Sequence, residues 1–239
     1  MEVYEARIKE IKSVTGDIVS FYLDIPAGVR WEAGAHMHVG LPGFQNGELT
    51  DKELVRHMSI VTRPEDQVIG FTTRIPENAS RFKHALSKMC VGDILYLFKI
   101  RSIMKLQAEG IPMVVLSMGV GITSVYPLIL QYREESGKKN LTSLHVSKPE
   151  EHLYREILEK NKAEGICLLW ADSRNAYQEE LEKILASLRD VPGAVFYIVG
   201  SDQYLQDMIK VLHQKGITDV QIIIDKKEEK RLAFFETLL

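Results

Sequence analysis

Residues 113–124 read MVVLSMGVGITS, a short apolar run followed by two glycines and two hydroxyl residues. A continuous apolar run of this length is typical of a strand that is buried on both faces of a parallel sheet. Gly119 and Gly121 would let the backbone approach a phosphate closely, and the N–H groups of a following helix would face it. A turn that only packs the strand against a helix would explain the glycines about equally well.

The same alternation of apolar strands and amphipathic helices continues almost to the end of the chain. Strands are predicted over residues 113–116, 141–146, 166–170, 194–199 and 220–224. Helices are predicted over residues 123–135, 151–163, 178–188 and 202–215. Because this alternation builds a parallel sheet with helices on both faces, we expect a five-stranded, doubly wound α/β domain.

The first hundred residues follow a different pattern, in which short strands of alternating polar and apolar residues are separated by turn residues. Strands are predicted over residues 2–12, 18–25, 36–41, 55–61, 68–74 and 94–100, with one helix over 80–89. Six strands and one helix at this spacing predict a small antiparallel Greek-key β-barrel. The chain therefore divides into a barrel over residues 1–108 and an α/β domain over 109–239 that includes a C-terminal extension.

The composition excludes several classes of protein. A net charge of -3 gives no basic excess, so we expect no nucleic-acid partner. Cys90 and Cys167 are too few for a disulfide framework or for the four thiolates of an iron–sulfur cluster. The chain opens on no signal-peptide pattern and has no run of about 18 apolar residues. We therefore expect a cytoplasmic protein with no membrane partner.

A second glycine follows the fourth strand of the α/β half, in the segment Val199-Gly200-Ser201-Asp202. Ligands of a doubly wound sheet bind beyond the carboxyl ends of its strands, so two glycine-bearing ends are more informative than one. The alternative for this segment is a plain helix start, with Ser201 or Asp202 as the capping residue.

The barrel half carries the segment Arg56-His57-Met58-Ser59 at the end of a predicted strand. An arginine can hold a phosphate through two parallel hydrogen bonds, and Ser59 could hydrogen-bond a ring nitrogen. A surface ion pair made by an edge-strand arginine is the alternative interpretation.

The order and spacing of these motifs resemble the ferredoxin–NADP reductase superfamily over nearly the whole chain. Arg56, Met58 and Ser59 are similar to its Arg-x-Tyr-Ser/Thr motif, and residues 78–80 resemble its flavin-pyrophosphate segment. Residues 118–124 are similar to its Gly-Gly-x-Gly-Ile-Thr-Pro motif, and residues 199–201 to its Cys-Gly-Pro motif. The resemblance implies two sets of binding residues. Those for FAD are Arg56, His57, Met58, Ser59, Asn78, Ala79 and Ser80, and those for the nicotinamide nucleotide are Gly119, Gly121, Ile122, Thr123, Gly200, Ser201 and Asp202.

The segment after the third α/β strand bears on the choice of nucleotide. Ser173, Arg174 and Tyr177 resemble the site that holds the 2′-phosphate in members of the superfamily that prefer NADPH. Arginine and hydroxyl donors suit a phosphate dianion, so NADPH is expected slightly ahead of NADH. A loop followed by a helix start is the alternative.

The sequence departs from the superfamily at three places. Met58 stands where an aromatic ring usually stacks on the flavin, and a thioether is not an equal substitute. Val199 replaces a cysteine, and residues 98–104 replace the usual Gly-Pro-x-Gly segment. The sequence therefore supports cofactor binding better than fast turnover.

The resemblance implies a flavin-dependent oxidoreductase that moves hydride from NADPH or NADH to FAD, with Ser59 as the catalytic residue beside the flavin. Electrons would pass on to a ferredoxin- or flavodoxin-type protein, a partner subunit or a small molecule. The alternative is a flavin- or nucleotide-binding subunit of an electron-transfer complex with little turnover of its own. A third possibility is an enzyme that reduces free flavin without holding FAD tightly.

Two further features leave alternatives open. His36 and His38 share a face of a predicted strand and could ligate zinc, but no third ligand is evident nearby in the sequence. We therefore predict no metal site and expect barrel packing or contact beside the flavin. Phe234 and Phe235, in the C-terminal extension, could cover the flavin, or the extension could be a helix at a subunit interface.

Overall fold

The chain folds into two compact units, Met1–Ser102 and Ile103–Leu239. A computed structural model describes residues 2–46, 49–102, 104–107, 110–134, 140–160, 163–189, 191, 193–226 and 228–236. The predicted boundary between residues 108 and 109 lies outside the described residues.

The first unit is built almost entirely of antiparallel strands. In chain order these are β1 (Val3–Thr15), β2 (Ile18–Leu23), β3 (Ala35–Gly40), β4 (Gln45–Asn46), β5 (Leu49–Thr50), β6 (Val55–Ser59), β7 (Ile69–Arg74) and β8 (Ile94–Ser102). The order β6-β3-β8-β1-β2-β7 forms one curled sheet, and β4 pairs only with β5. One helix, α1 (Arg81–Leu86), follows β7. The six predicted strands and the predicted helix are all present.

Alternation along the strands fills the barrel. In β3, Met37 and Val39 are fully buried in the barrel core, and their neighbours His36 and His38 face the opposite side. Phe21 and Phe71 stack within the core at a ring separation of 5.2 Å. The Val61 N–H donates to the Gly70 carbonyl at 2.9 Å, which joins the chain just after β6 to β7.

The second unit is a parallel sheet wound by helices. Its strands are β9 (Met113–Met118), β10 (Leu141–Val146), β11 (Ile166–Ala171), β12 (Val195–Val199) and β13 (Ile222–Ile224). Its helices are α2 (Tyr126–Glu134), α3 (Arg155–Lys160), α4 (Arg174–Ser187), α5 (Asp202–Gln214) and α6 (Glu228–Glu236). The strand order is β11-β10-β9-β12-β13, and every pair is parallel. This is the five-stranded, doubly wound sheet that the sequence predicts.

The path of the chain puts helices on both faces of this sheet. The chain steps outward from β9 to β10 and β11, and then crosses back to β12 and β13. With right-handed crossovers, α2 and α3 cover one face, and α4 and α5 cover the other. On the second face, one continuous apolar core joins α4 and α5 to alternate residues of the strands, such as Leu116, Phe196 and Ile198.

The C-terminal extension belongs to the same core. It forms α6, in which Phe234 and Phe235 are 9% and 8% exposed and lie in the apolar cluster under α4 and α5. Since these two rings are buried within the α/β unit, they are not available to cover a flavin, and that hypothesis is corrected. Among the described residues, no helix is long and apolar enough to span a bilayer.

Candidate functional site

Two glycine turns meet at the carboxyl edge of the parallel sheet. β9 pairs with β12 in parallel, and Ser117 near the end of β9 lies opposite Val199 at the end of β12. The glycines at positions 119 and 200 therefore follow neighbouring strand ends. This is the point at which the strand order reverses, where ligands of doubly wound sheets bind.

The turn after β9 lies so close to the end of β12 that only glycine fits at position 121. A Cβ atom on Gly121 would lie 2.7 Å from the Val199 carbonyl oxygen and 2.9 Å from the Gly200 Cα. Both neighbours are backbone atoms, which cannot rotate away as a side chain would. The two turns are thus in direct backbone contact, and both leave main-chain atoms uncovered by side chains.

The local structure after β9 differs from the prediction. A 3-10 turn occupies Gly119–Ser124, Gly119 adopts a left-handed φ of 53°, and α2 begins only at Tyr126. The side chains of Ile122 and Thr123 are buried at 0% and 5% exposure. What this turn offers a ligand is therefore mainly the backbone of its first residues.

Serine residues begin the helices after β11 and β12. The Ser173 hydroxyl accepts a hydrogen bond from the Ala176 N–H at 3.2 Å, and the Ser201 hydroxyl accepts one from the Tyr204 N–H at 3.3 Å. The helix-start alternatives thus hold for both serines, although their positions at the carboxyl edge remain suited to a ligand. Arg174 is exposed at the first turn of α4.

Asp202 forms an ion pair with Lys226, which was not predicted as a site residue. Its carboxylate accepts a hydrogen bond from the Lys226 ammonium at 2.6 Å, just beyond the end of β13. The pair neutralises an acid that would otherwise repel a phosphate at this edge.

Tyr177 is part of the core and is not exposed at the predicted 2′-phosphate site. Its side chain is 4% exposed, and its hydroxyl lies 2.5 Å from the hydroxyl of Tyr204. Burial raises the pKa of both phenols, so both stay protonated. We therefore correct its predicted role: Tyr177 is a core residue that joins the starts of α4 and α5.

A buried histidine adjoins the end of β9 from the neighbouring strand. His145 on β10 is 0% exposed, and its Nδ1 lies 2.9 Å from the Ser117 hydroxyl. Burial lowers the pKa of His145 to about 3, and the nearby His152 contributes further. His152 in turn hydrogen-bonds Asp172, at 2.7 Å, next to the predicted phosphate residue Ser173. The sequence assigned no role to these residues, because only the sheet brings them together.

In the barrel unit, β6 divides the four predicted flavin residues between two faces. Met58 is 8% exposed in the barrel core, and alternation puts Arg56 on the same side. His57 and Ser59 face the other way, where Ser59 lies opposite His36 of β3. Since β6 is an edge strand of the sheet, a ligand could reach both pairs only along that edge.

A second cation accompanies Arg56. The Arg56 guanidinium donates to the Val55 carbonyl at 2.7 Å and lies 5.6 Å from the centre of the Phe82 ring. Lys83, the next residue of α1, is half-buried. Burial lowers the pKa of the Lys83 ammonium, and repulsion from Arg56 lowers it further. The carboxylate of Asp17 acts in the opposite direction and raises it, and Lys83 is a cation that sequence reasoning did not single out.

The predicted pyrophosphate segment lies just before α1. Asn78 and Ser80 are exposed and Ala79 is half-buried, and Ser80 occupies the capping position of α1 without a side-chain capping bond. The segment is thus accessible beside the helix that carries Lys83.

Comparison with solved structures establishes the fold. A ferredoxin NADP+ reductase from Neisseria gonorrhoeae, solved with bound FAD and NADP, matches with a TM-score of 0.75 at 17% identity. That match covers 94% of this chain and 98% of the reductase. The cytochrome b5 reductase domain of Ulva prolifera nitrate reductase matches with a TM-score of 0.75 at 15% identity, covering 93% of this chain and 97% of the domain. The chain has the ferredoxin–NADP reductase fold.

Other proteins with this reductase fold are longer. A flavohemoglobin from Malassezia yamatoensis with bound FAD and heme matches with a TM-score of 0.73 at 13% identity. The match covers 94% of this chain but 60% of the flavohemoglobin. No family model and no curated protein matches the sequence.

The contact of Gly121 with β12 predicts that substitution at position 121 destabilises the protein more than substitution at position 119. Gly121→Ala should lower the free energy of unfolding by about 1–3 kcal/mol, because the added methyl collides with backbone. Gly119→Asn, the matched control, should cost less than about 1 kcal/mol, because asparagine tolerates a left-handed φ and the site is open. Urea unfolding followed by circular dichroism measures both. Equal tolerance of the two substitutions would contradict the contact.

The buried His145 predicts a loss of stability in acid. Its pKa is about 3 in the folded protein and near 6.5 in the unfolded chain, so the unfolded chain binds the extra proton between these values. Stability should therefore fall as the pH drops from 6.5 toward 3, by up to about 1.4 kcal/mol per pH unit from this group.

Urea unfolding at pH 7, 6, 5 and 4 tests this effect. His145→Asn should lose less stability on acidification than the parent chain, while the exposed His84→Asn should follow the parent. Identical pH slopes for the parent and His145→Asn would show that His145 does not carry the effect.

Proposed function

We propose that this chain is a flavin-dependent NAD(P)H oxidoreductase, in which the α/β unit binds the nicotinamide nucleotide and the barrel binds FAD. The observation that carries the proposal is the backbone contact between the two glycine turns at the carboxyl edge of the sheet. The fold adds support, because a solved neighbour with the same fold holds FAD and NADP.

The α/β unit fits a dinucleotide through its backbone. Position 121 admits no side chain, so the turn after β9 and the residues after β12 can present main-chain N–H groups to a pyrophosphate. Ser173 and Arg174, one strand further out, would take the adenosine end, and an exposed arginine suits a 2′-phosphate. We therefore propose NADPH ahead of NADH.

The barrel unit fits the phosphates of FAD better than its ring. Arg56 lies against Phe82 of α1, and Lys83 is the next residue of that helix, which follows the accessible residues 78–80; two cations at this position suit a pyrophosphate. Met58, in contrast, lies in the barrel core and offers little surface on which a flavin ring could stack. We therefore propose that FAD is held chiefly by its phosphates and is retained less firmly than stacking would allow.

The bound flavin would supply the redox chemistry by accepting hydride from the reduced nucleotide and passing electrons on. The role of the protein is to position the two ligands. The two glycine turns would hold the phosphates of the nucleotide, and Arg56 and Lys83 would hold those of FAD. Ser59 is proposed as the hydrogen-bond partner of the reacting ring, since its half-buried hydroxyl lies near the end of edge strand β6. No general acid or base is required.

The buried Met58 also favours a second candidate, a flavin- or nucleotide-binding subunit with little turnover of its own. A partner subunit would then complete the flavin site. In either case the acceptor is proposed to be a ferredoxin- or flavodoxin-type protein, a partner subunit or a small molecule.

The absorption spectrum of the purified chain, after incubation with FAD, decides between these functions. The oxidoreductase should show flavin bands that bleach under anaerobic conditions when NADPH is added, with NADH less effective. The control is Gly121→Ala, which should bind FAD with little change and bleach more slowly. Bound flavin that neither nucleotide reduces would support the binding subunit, and no flavin or nucleotide binding would sink both.

The proposed pyrophosphate contact of Arg56 and Lys83 predicts a phosphate-dependent effect of Lys83. Lys83→Met should raise the dissociation constant for FAD about tenfold, equivalent to about 1.4 kcal/mol, because one cation facing the pyrophosphate is lost. Binding of riboflavin, which has no phosphate, should be unchanged. Fluorescence titration measures both ligands.

The matched control is Lys88→Met, which removes an exposed lysine shortly after the same helix. It should leave FAD affinity unchanged. Equal effects of the two lysine variants, or equal weakening of FAD and riboflavin by Lys83→Met, would refute a phosphate contact at Lys83.

A further inference from the structure

Three histidines of the barrel unit lie on one face of two paired strands. His36 and His38 alternate with Met37, which points into the barrel core with 0% exposure. His57 on β6 lies directly opposite His38 in the antiparallel register. The neighbour of His57, Met58, is in the core, so His57 faces the same side as the two histidines of β3. The third nitrogen donor missing from the local sequence thus comes from the adjacent strand.

The rings are already close. The rings of His36 and His57 have centroids 4.2 Å apart, and a nitrogen of one lies within 4.8 Å of a nitrogen of the other. The rings of His38 and His57 meet edge to face at 5.7 Å. Because zinc takes imidazole nitrogens at about 2.0–2.1 Å, two nitrogens on one ion are at most about 4 Å apart. A small shift would suffice for His36 and His57, and binding by His38 would require its side chain to rotate toward them.

The three rings lie between an apolar surface and solvent, an environment that suits a metal ion with one bound water. The ring of Phe98 lies 5.3 Å from that of His38, and Phe44 stacks on Phe98 at 5.4 Å. Phe44 and Phe98 are each 2% exposed, so they form an apolar surface beside the histidines from which water is excluded. His57 is exposed and leaves a route from solvent. An apolar wall limits solvent access and raises the strength of metal–ligand contacts.

The backbone next to these histidines is irregular. The β8 partners of His36 and His38 are Arg101 and Phe98, which are three residues apart where regular pairing has two. The extra residue falls beside Lys99, which has a left-handed φ of 50°. Bulges of this kind re-aim side chains and are frequent next to functional sites.

We propose that His36, His38 and His57 form a binding site for a divalent transition-metal ion such as zinc. Three neutral imidazoles suit zinc, copper or nickel and not calcium or magnesium, which prefer oxygen ligands. Two histidines two residues apart on one strand and a third on the next strand leave a fourth position for water. Zinc binding at this site needs neither flavin nor nucleotide, but His57 shares a face of β6 with Ser59, so the test uses the flavin-free chain.

The test is a calorimetric titration of the flavin-free full-length chain with Zn²⁺. One equivalent should bind, and His38→Asn and His57→Asn should each raise the dissociation constant at least tenfold. Both residues are partly or fully exposed, so these variants should fold, which circular dichroism checks. His84→Asn removes an exposed histidine of α1 and should bind zinc like the parent.

Cobalt gives an independent readout. Co²⁺ bound by three imidazoles and water in a tetrahedral arrangement should show strong visible absorption, and this absorption should be absent in His57→Asn. The proposal is overturned if the parent binds zinc no more tightly than His38→Asn and His57→Asn. It is also overturned if His84→Asn weakens binding as much as they do.

Discussion

The close approach of Gly121 to the end of β12 is the constraint on which the α/β unit's carboxyl edge depends. Parallel pairing of β9 with β12 brings two strand ends side by side, and the absence of a side chain lets the following turns touch. A methyl group at position 121 would push the turn after β9 away from Val199. The spacing of the strands and the identity of one residue therefore determine together how much main chain faces a ligand.

Buried side chains in the core hold the residues that flank this edge in position. The hydroxyls of Tyr177 and Tyr204 lie 2.5 Å apart in the core and tie the start of α4 to the start of α5. Gly200 packs against the Tyr204 ring, where a Cβ atom would come within 2.6 Å of it. On the other side of β9, His145 stays neutral beside Ser117 because burial penalises its charged form. The two tyrosine hydroxyls and the Nδ1 of His145 are thus hydrogen-bonded internally, whereas the Nε2 of His145 is buried with no hydrogen-bond partner among the described residues.

The barrel separates its polar residues by alternation along the strands. Arg56 lies over Phe82 of α1 on one side of β6, and His57 joins the histidines of β3 on the other. One strand therefore contributes to two different groups of residues, a basic group beside α1 and a histidine cluster. This division also explains the departure at Met58, since a residue of this type packs readily into an apolar core.

The sequence by itself determined the elements and their order, because hydrophobic periodicity and glycine placement act locally: every predicted strand appears, within a few residues of its predicted ends. It also located both glycine turns, since a strand followed by glycine is a local pattern. Only the tertiary structure decided which side chains meet. Tyr177 is buried against Tyr204, Arg56 lies over Phe82, and His57 packs against His36, because these contacts join residues from separate elements. Pairing register and burial set such contacts, and neither can be read from one segment alone.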